Sequence, residues 1–266
     1  MSDSPVLLTH DGAVAIVTLN RPSAGNTVDM ALAVALEQVV DAVIADDAVR
    51  CVVLTGAGKL FCGGGDIGAF AAAGSEASAF LHGLATALHR SVLKLAGMAK
   101  PLVTLVNGPA AGAGLSLAIS GDIVLASAQA HFTAAYGAVG LTPDGGMSWL
   151  LPRLVGLRAA QDIILTNRRI DAEEAVRIGL ITRAVSSEAL MTEGLAIAHR
   201  LANGATQAIG GARALLASSF HHDFAEHLEA EAARIGVAGD GAEASEGIAA
   251  FLDRRKPDFS GRTRHA

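Results

Sequence analysis

The chain has 266 residues, of which 51% are hydrophobic and 17% charged, and its formal net charge is −6. This excludes a disordered chain and a nucleic-acid binder acting through overall charge, and the length suffices for a domain with a substantial core plus an appendage. Two cysteines, Cys51 and Cys62, with no histidine beside them exclude a disulfide framework or a zinc motif. Residues 1–8 carry neither a basic start nor a long apolar run, and later apolar runs are broken by Gly, Asp or Ser short of a membrane span. A cytoplasmic protein with no membrane partner is therefore expected.

In chain order, Val6–His10 and Ala13–Leu19 read as strands joined by Asp11-Gly12, a strong hairpin signal. A loop over Asn20–Asn26 follows. Thr27 or Asp29 then caps a helix whose apolar positions Leu32, Leu36, Val39, Val40 and Val43 follow helical spacing. Cys51–Thr55 predicts a buried strand, with Cys51 as a small hydrophobe. It runs into Gly56-Ala57-Gly58-Lys59 and then Phe61-Cys62-Gly63-Gly64-Gly65-Asp66. A P-loop fails at Gly58-Lys59, because Val53 holds the earlier glycine position and Leu60 the following Ser/Thr position. Residues 76–98 read as mostly helical and contain His82 and His89, each either a structural or surface histidine or a catalytic one.

The centre of the chain is residues 101–126. Leu102–Val106 predicts a buried strand, and Gly108, Gly112 and Gly114 lead into an apolar helix start at Leu115–Ile119. This repeats the construction of residues 52–66: apolar strand, turn, glycine-rich segment. Glycine lets a backbone come close to a neighbour, and a helix N-terminus carries unpaired N–H groups. One N–H from each segment is thus able to converge on an oxygen that gains charge during a reaction. The alternatives are tight strand–helix packing for the second segment and a flexible loop tip for the first. A dinucleotide fingerprint fails at Leu117. Gly114-Leu115-Ser116-Leu117-Ala118 falls one glycine short of a nucleophile elbow, and Asp144, His221 and His222 follow in hydrolase order. A serine hydrolase at Ser116 therefore stands as a rival reading.

Asp122–Ala126 predicts a further strand, and Ala130–Gly140 a connector holding the only tyrosine, Tyr136. After Pro143, Asp144 is either the N-cap of the next helix or a carboxylate base beside a substrate. Asp171 and Glu174 open another helix in a capping-box-like pair, and Ile181–Val185 reads as a strand. From Ser187 the pattern is helical, punctuated by Asn203-Gly204, Gly210-Gly211 and Gly239-Asp240-Gly241. These Ala-rich helices suit packing against other subunits. Arg254, Arg255, Lys256, Arg262 and Arg264 make the tail basic, either as a solvated tail or as a small anion site for phosphates.

Seven segments then make a pattern: LNRP at 19–22, FCGGGD at 61–66, KPLVTLVNGPAAGAG at 100–114, GDIVLAS at 121–127, GLTPDGGMSWLLPRLVG at 140–156, LTNRRIDAEEAVRIGLI at 165–181 and FLDRRKPDF at 251–259. In order and spacing they resemble the crotonase (enoyl-CoA hydratase/isomerase) superfamily over nearly the whole chain. The resemblance implies an α/β fold: a spiral of ββα units over residues 1–186 that binds acyl-CoA, and a helical trimerisation region over 187–266. It implies a homotrimer or dimer of trimers. It places an oxyanion hole at the backbone N–H groups of Gly65 and Ala113. CoA would lie along Ala24, Cys62, Gly63, Asp66 and Ile67, with Phe251 and Lys256 at the adenine and phosphates, often from a neighbouring subunit. Tyr136 would line the acyl pocket, hold a water or simply pack. Coenzyme A is part of the substrate, and no metal or redox cofactor is implied.

The departures from the family pattern carry the choice of reaction. The two glutamates of typical hydratases align with Ser116 and Tyr136, neither of them a carboxylate. Asp144 remains, similar to the acid of double-bond and ring-epoxide isomerases. Aryl-CoA dehalogenases also have an Asp near this point, as nucleophile, with a His aligned near His89 and bulky aromatics around the ring, one of which Gly65 replaces here. The resemblance therefore implies an acyl-CoA isomerase using Asp144 as acid and base. A hydratase holding water differently and a non-catalytic CoA-thioester-binding paralogue are the alternatives.

Overall fold

Strands β1 (Val6–Asp11) and β2 (Val14–Leu19) form the expected hairpin, paired antiparallel from Val6↔Leu19 to Asp11↔Val14. The computed structural model describes residues 4–260; Arg262 and Arg264 of the basic tail lie outside the described residues. Helix α1 (Met30–Ala45) is capped by Asp29, whose carboxylate accepts from the Leu32 N–H at 2.8 Å. It returns the chain to β3 (Cys51–Gly56), which lies parallel to β2. Short α2 (Ile67–Ala72) and long α3 (Ala77–Gly97) lead to β4 (Leu102–Val106), parallel to β3. Next come β5 (Ala110–Ala111), α4 (Ala113–Ala118), β6 (Ile123–Ser127) and β7 (His131–Thr133). Helices α5 (Met147–Val155) and α6 (Leu157–Thr166), strand β8 (Ile170–Asp171), α7 (Ala172–Arg177) and β9 (Arg183–Val185) complete this part.

The main sheet runs β1-β2-β3-β4-β6-β9, and a second, smaller sheet runs β5-β7-β8. After the hairpin every neighbour pair in the main sheet is parallel, so each step needs a crossover. Successive units add their strands in one direction with at least one helix in each return, and the later returns also carry the short strands β5, β7 and β8. That is the expected spiral of ββα units. The second sheet was not legible as strands, because two or three residues show no period.

Both faces of the main sheet are covered, which is why β3 and β4 read as continuous apolar runs. Val52, Leu54, Leu102 and Val106 join the larger core with Leu36 of α1 and Leu88 and Leu95 of α3. Cys51, Val53, Val103 and Leu105 face the other way, onto Leu190, Ile197 and Ala198 of α8 (Leu190–Ala202). Helix α8 therefore completes the core, although it lies beyond residue 186. The helices that follow are α9 (Thr206–Ser218), α10 (Phe224–Gly239) and α11 (Ala242–Leu252). Gly210-Gly211 does not break the chain as expected. It sits inside α9, where a Cβ on Gly210 would stand 2.5 Å from the Ala99 carbonyl oxygen, so the glycine serves close packing. Arg213 of α9 ties that helix to the sheet end, donating to the carbonyls of Met98, Lys100 and Leu95 and pairing with Asp122. Among the described residues no helix is long and apolar enough to cross a membrane.

Candidate active site

The two glycine-rich segments are stitched into one structure. The N–H groups of Phe61 and Cys62 donate to the Pro109 carbonyl at 3.1 and 3.3 Å, and the Ala111 N–H donates to the Cys62 carbonyl at 3.0 Å. A Cβ on Gly114 would lie 2.1 Å from that same Cys62 oxygen, so only hydrogen fits there and α4 is held hard against the first segment. Across the first segment, Val28 donates to the Gly64 carbonyl at 2.7 Å and accepts from the Asp66 N–H at 3.0 Å. This parallel bridge uses the groups on either side of Gly65 and leaves the N–H of Gly65 itself turned away from Val28. In the second segment Gly112 adopts φ 53°, ψ −128°, a conformation open to glycine, and α4 begins at the next residue. Ala113 is then in the first helical turn, where N–H groups have no acceptor within the helix. Among the described residues neither the Gly65 nor the Ala113 N–H has a backbone partner.

Sequence reading passed over two residues that hold this arrangement. Asn26 is fully buried; its side chain accepts from the Arg21 N–H and donates to the carbonyls of Ala57, Leu60 and Phe61. Asn107 accepts from the Gly56 N–H and donates to the Gly58 carbonyl. Together they pin the turn that precedes the first glycine-rich segment. The signal available was an asparagine in a glycine-flanked turn, since Asn tolerates the left-handed backbone that Asn26 adopts at φ 54°.

Gly65, Ala113, Tyr136 and Asp144 all line one cavity of about 450 Å³. Its remaining wall is mostly apolar, with Val28, Phe70, Leu84, Leu88, Val139 and Leu141, and Asp144 is the one carboxylate among the lining residues. A Cβ on Gly65 would stand 2.3 Å from the Phe70 ring, so that ring occupies the space a side chain at 65 would need. The Tyr136 hydroxyl donates to Asp144 Oδ1 at 2.6 Å. Burial first, and then the neighbouring Asp144 charge, push the Tyr136 phenol well above its ordinary value, so it remains a donor throughout the physiological range.

Asp144 does not cap a helix. Helix α5 starts at Met147 with Gly146 at its N-cap and no side-chain cap, so the capping reading of Asp144 is corrected. The hydrolase reading also loses its geometry. Ser116 lies inside α4, 1% exposed, with its hydroxyl donating to the Asp144 carbonyl at 2.9 Å. His221 stacks on Trp149, and His222 packs on His227.

The remaining expected contacts divide into two groups. Gly63 and Ile67 line the cavity, and Ala24 is exposed in the loop at Pro22–Ala24. The side chains of Cys62 and Asp66 are engaged within the chain, so any contact they make with CoA would come from the backbone, as the resemblance implies. The Cys62 thiol is fully buried and donates to the Asn26 carbonyl at 3.0 Å, and burial pushes it up to about 12. Its own N–H and carbonyl are engaged as described. The Asp66 carboxylate accepts from the Ala69 N–H, capping α2, and pairs with Arg21 at 3.2 Å; these bonds hold it below the usual carboxylate range. Phe251, 82% exposed on α11, and exposed Lys256 do not line the cavity of their own chain.

With the spiral and the paired N–H groups in view, comparison with known proteins agrees. The enoyl-CoA hydratase/isomerase family matches residues 9–262, and the chain belongs to that family. It is 35% identical to the 1,2-epoxyphenylacetyl-CoA isomerase of Escherichia coli, over 96% of this chain and 98% of that protein. It is 33% identical to the crotonyl-CoA hydratase of Syntrophomonas wolfei, over 97% of this chain and 99% of that protein. Among solved structures, an enoyl-CoA hydratase from a Polaromonas species superposes with a TM-score of 0.92 at 31% identity, covering 95% of this chain and 98% of that one.

Proposed function

We propose that the protein isomerises an acyl-CoA thioester, moving a double bond or opening a ring epoxide through a thioester enolate. The observation that carries this is the single carboxylate of the cavity, Asp144, in the same apolar space as the N–H groups of Gly65 and Ala113. The thioester carbonyl accepts from those two N–H groups. Asp144 removes a proton from the α or γ carbon, negative charge grows on the oxygen, and the N–H groups stabilise it. Backbone donors suit this task because they are fixed before the charge appears; removing one such donor typically costs about 10²–10³ in rate. The same carboxyl group then returns the proton to another carbon. Addition of water needs one group to activate it and another to protonate the neighbouring carbon. Ser116 and Tyr136, at the two positions in question, supply no second carboxylate.

CoA is proposed to lie along Ala24, Cys62, Gly63, Asp66 and Ile67, largely through backbone contacts. Phe251 and Lys256, remote from their own cavity, would reach a neighbour's adenine and phosphates in a cytoplasmic homotrimer or dimer of trimers. No further cofactor enters this reading. The Syntrophomonas relative favours a second reading, hydration by a water that Asp144, itself bonded to Tyr136, would hold and activate.

The deciding experiment incubates purified protein with a panel of enoyl- and epoxy-acyl-CoAs in heavy water and follows products by mass spectrometry. Isomerisation gives a rearranged product with exchanged deuterium and no added oxygen. Products heavier by one water overturn the proposal in favour of the hydratase. Asp144→Asn is expected to lower turnover by about 10² or more, because an amide cannot take the proton.

A further inference from the structure

The Asp144 turn carries two glycines in the left-handed backbone region, Gly145 at φ 61° and Gly146 at φ 84°. Such a turn is free to pivot unless something outside it holds it. Here three side chains from three elements reach in. His89 Nε2, from α3, accepts from the Gly145 N–H at 3.0 Å. Ser116 Oγ, from α4, donates to the Asp144 carbonyl at 2.9 Å. Tyr136, from the short helical turn Tyr136–Val139, donates to Asp144 Oδ1 at 2.6 Å. The Asp144 carbonyl and the Gly145 N–H belong to one peptide unit. His89 and Ser116 therefore grip the two edges of the same plane, which stops it rotating and fixes the Cα–Cβ direction of Asp144. Tyr136 then fixes the carboxylate at the end of that bond. A methyl on Gly145 would fall 2.8 Å from the Ser116 Cβ, so the plane also lies against α4 with no slack.

We infer that His89, Ser116 and Tyr136 are positioning residues that clamp the Asp144–Gly145 peptide and aim the carboxylate. The inference rests on the proposed role of Asp144 as base. It gives one purpose to three positions that the sequence left separate. Ser116 and Tyr136 stand where hydratases carry their glutamates, and in this chain both are turned to holding a different acid. The chemistry of each contact is specific. Gly145 offers a donor, so the facing imidazole nitrogen is unprotonated and the proton of neutral His89 sits on Nδ1. Tyr136 offers a donor to a carboxylate, a charge-assisted bond. Ser116 supplies only a neutral bond to a carbonyl that also accepts from the Met147 N–H at 3.1 Å.

The test compares His89→Leu, His89→Gln, Tyr136→Phe and Ser116→Ala with the wild type and with Asp144→Asn. Crotonyl-CoA in heavy water is the probe, read as deuterium entering the γ carbon, and amide exchange of the peptide spanning 141–147 is read alongside. Misplacing a reacting group by about 1 Å costs on the order of 10² in rate. His89→Leu and Tyr136→Phe are therefore expected to lose roughly 10- to 100-fold in kcat, with KM within about twofold. His89→Gln, whose amide oxygen is able to accept from Gly145, should recover most of that loss, and Ser116→Ala should lose only about threefold because the Met147 bond remains. His89→Leu should also expose the Gly145 amide to exchange. If Asp144→Asn loses its rate while the His89 and Tyr136 variants exchange crotonyl-CoA within twofold of wild type, the clamp is overturned and the base assignment stands. Equal losses in His89→Gln and His89→Leu likewise overturn it. A wild type that leaves crotonyl-CoA unexchanged, or an Asp144→Asn chain that matches wild type, overturns the base assignment and the clamp's purpose with it.

Discussion

Around Cys62 and Ala110 the chain closes on itself: Phe61, Cys62, Ala110 and Leu115 are at most 1% exposed, and backbone pairing fixes the segments that carry the N–H groups of Gly65 and Ala113. Along α10 and α11 the reverse holds. Phe224 is 79% exposed, Ile235 74%, Val237 73% and Ile248 61%, and α10 has no buried residue. The first region is finished within one chain; the second presents a broad apolar face of the kind that marks an interaction surface. The difference matches the two proposed jobs, charge stabilisation and assembly. Charge stabilisation needs donors that do not move, and backbone locked by steric exclusion supplies them. Assembly needs only apolar area of suitable shape, which helices with small and branched side chains offer.

Substitutions in the two regions should therefore fail in different ways. The largest effect is expected from Gly114→Val, whose side chain has no room beside the Cys62 oxygen. Overpacking of this sort costs about 3 kcal/mol or more, a fall of roughly 10 °C in Tm by calorimetry for a chain of this size. Activity should vanish with it. A variant that melts within 2 °C of wild type, on the order of measurement scatter, would show the two segments to be less tightly joined than described.

Ser116→Glu probes the same region more finely. It puts a glutamate where the resemblance to hydratases would place one, but the site is buried against Gly145 and the Asp144 carbonyl. Turnover should fall by about tenfold or more as the Asp144 turn is displaced, with no hydration gained. Product carrying added water would show that the fold still accommodates the paired-acid arrangement.

In the helical region, Phe224→Ser with Ile235→Ser should reduce the mass seen by light scattering towards a single chain. Both side chains are mostly exposed within the chain, so the far-UV circular dichroism should stay unchanged. Persistence of the wild-type mass would place the assembly surface elsewhere. The smallest effect concerns the end of α11. Arg255 above all, helped by the Asp258 N–H, holds the Glu246 carboxyl down to about 2. A depressed carboxyl stabilises the fold above its ordinary value of 4.5 and loses that contribution as pH falls through the folded value. The Asp258 amide signal in NMR should thus hold steady at about pH 5 and move only as pH falls towards about 2. A midpoint near the ordinary value would mean that the Arg255 pair contributes nothing there.

Much of the core was legible because its causes are local. The hairpin at Asp11-Gly12, the cap at Asp29 and the buried runs of β3 and β4 each follow from a turn residue, a capping oxygen or an apolar stretch. The pairing of the two glycine-rich segments was legible as a repeated construction. What it rests on was hidden, since the contact between Gly114 and the Cys62 oxygen joins residues far apart in sequence. The Gly210-Gly211 pair misled for the same reason: its cause is Ala99, on another element. Asp144 was visible as a cap or a base, and its local sequence left both open. The start of α5 at Met147 removes the cap, and the contacts of Tyr136, His89 and Ser116 with this turn depend on three separate elements.

The two cysteines carry a practical consequence. Burial pushes the thiols of Cys51 and Cys62 each up to about 12. Both are thus held as thiols at pH 7, buried from solvent, and thiolate is the form that reacts with maleimides, iodoacetamide and peroxide. The folded chain is in effect blank to thiol reagents. A fluorophore placed through Leu252→Cys, at a position 73% exposed on α11, would report subunit exchange in the proposed oligomer with no need to remove either native cysteine. Conversely, labelling of the native thiols measures unfolding directly, because only opening of the sheet around Cys51 or of the segment around Cys62 brings sulfur to solvent.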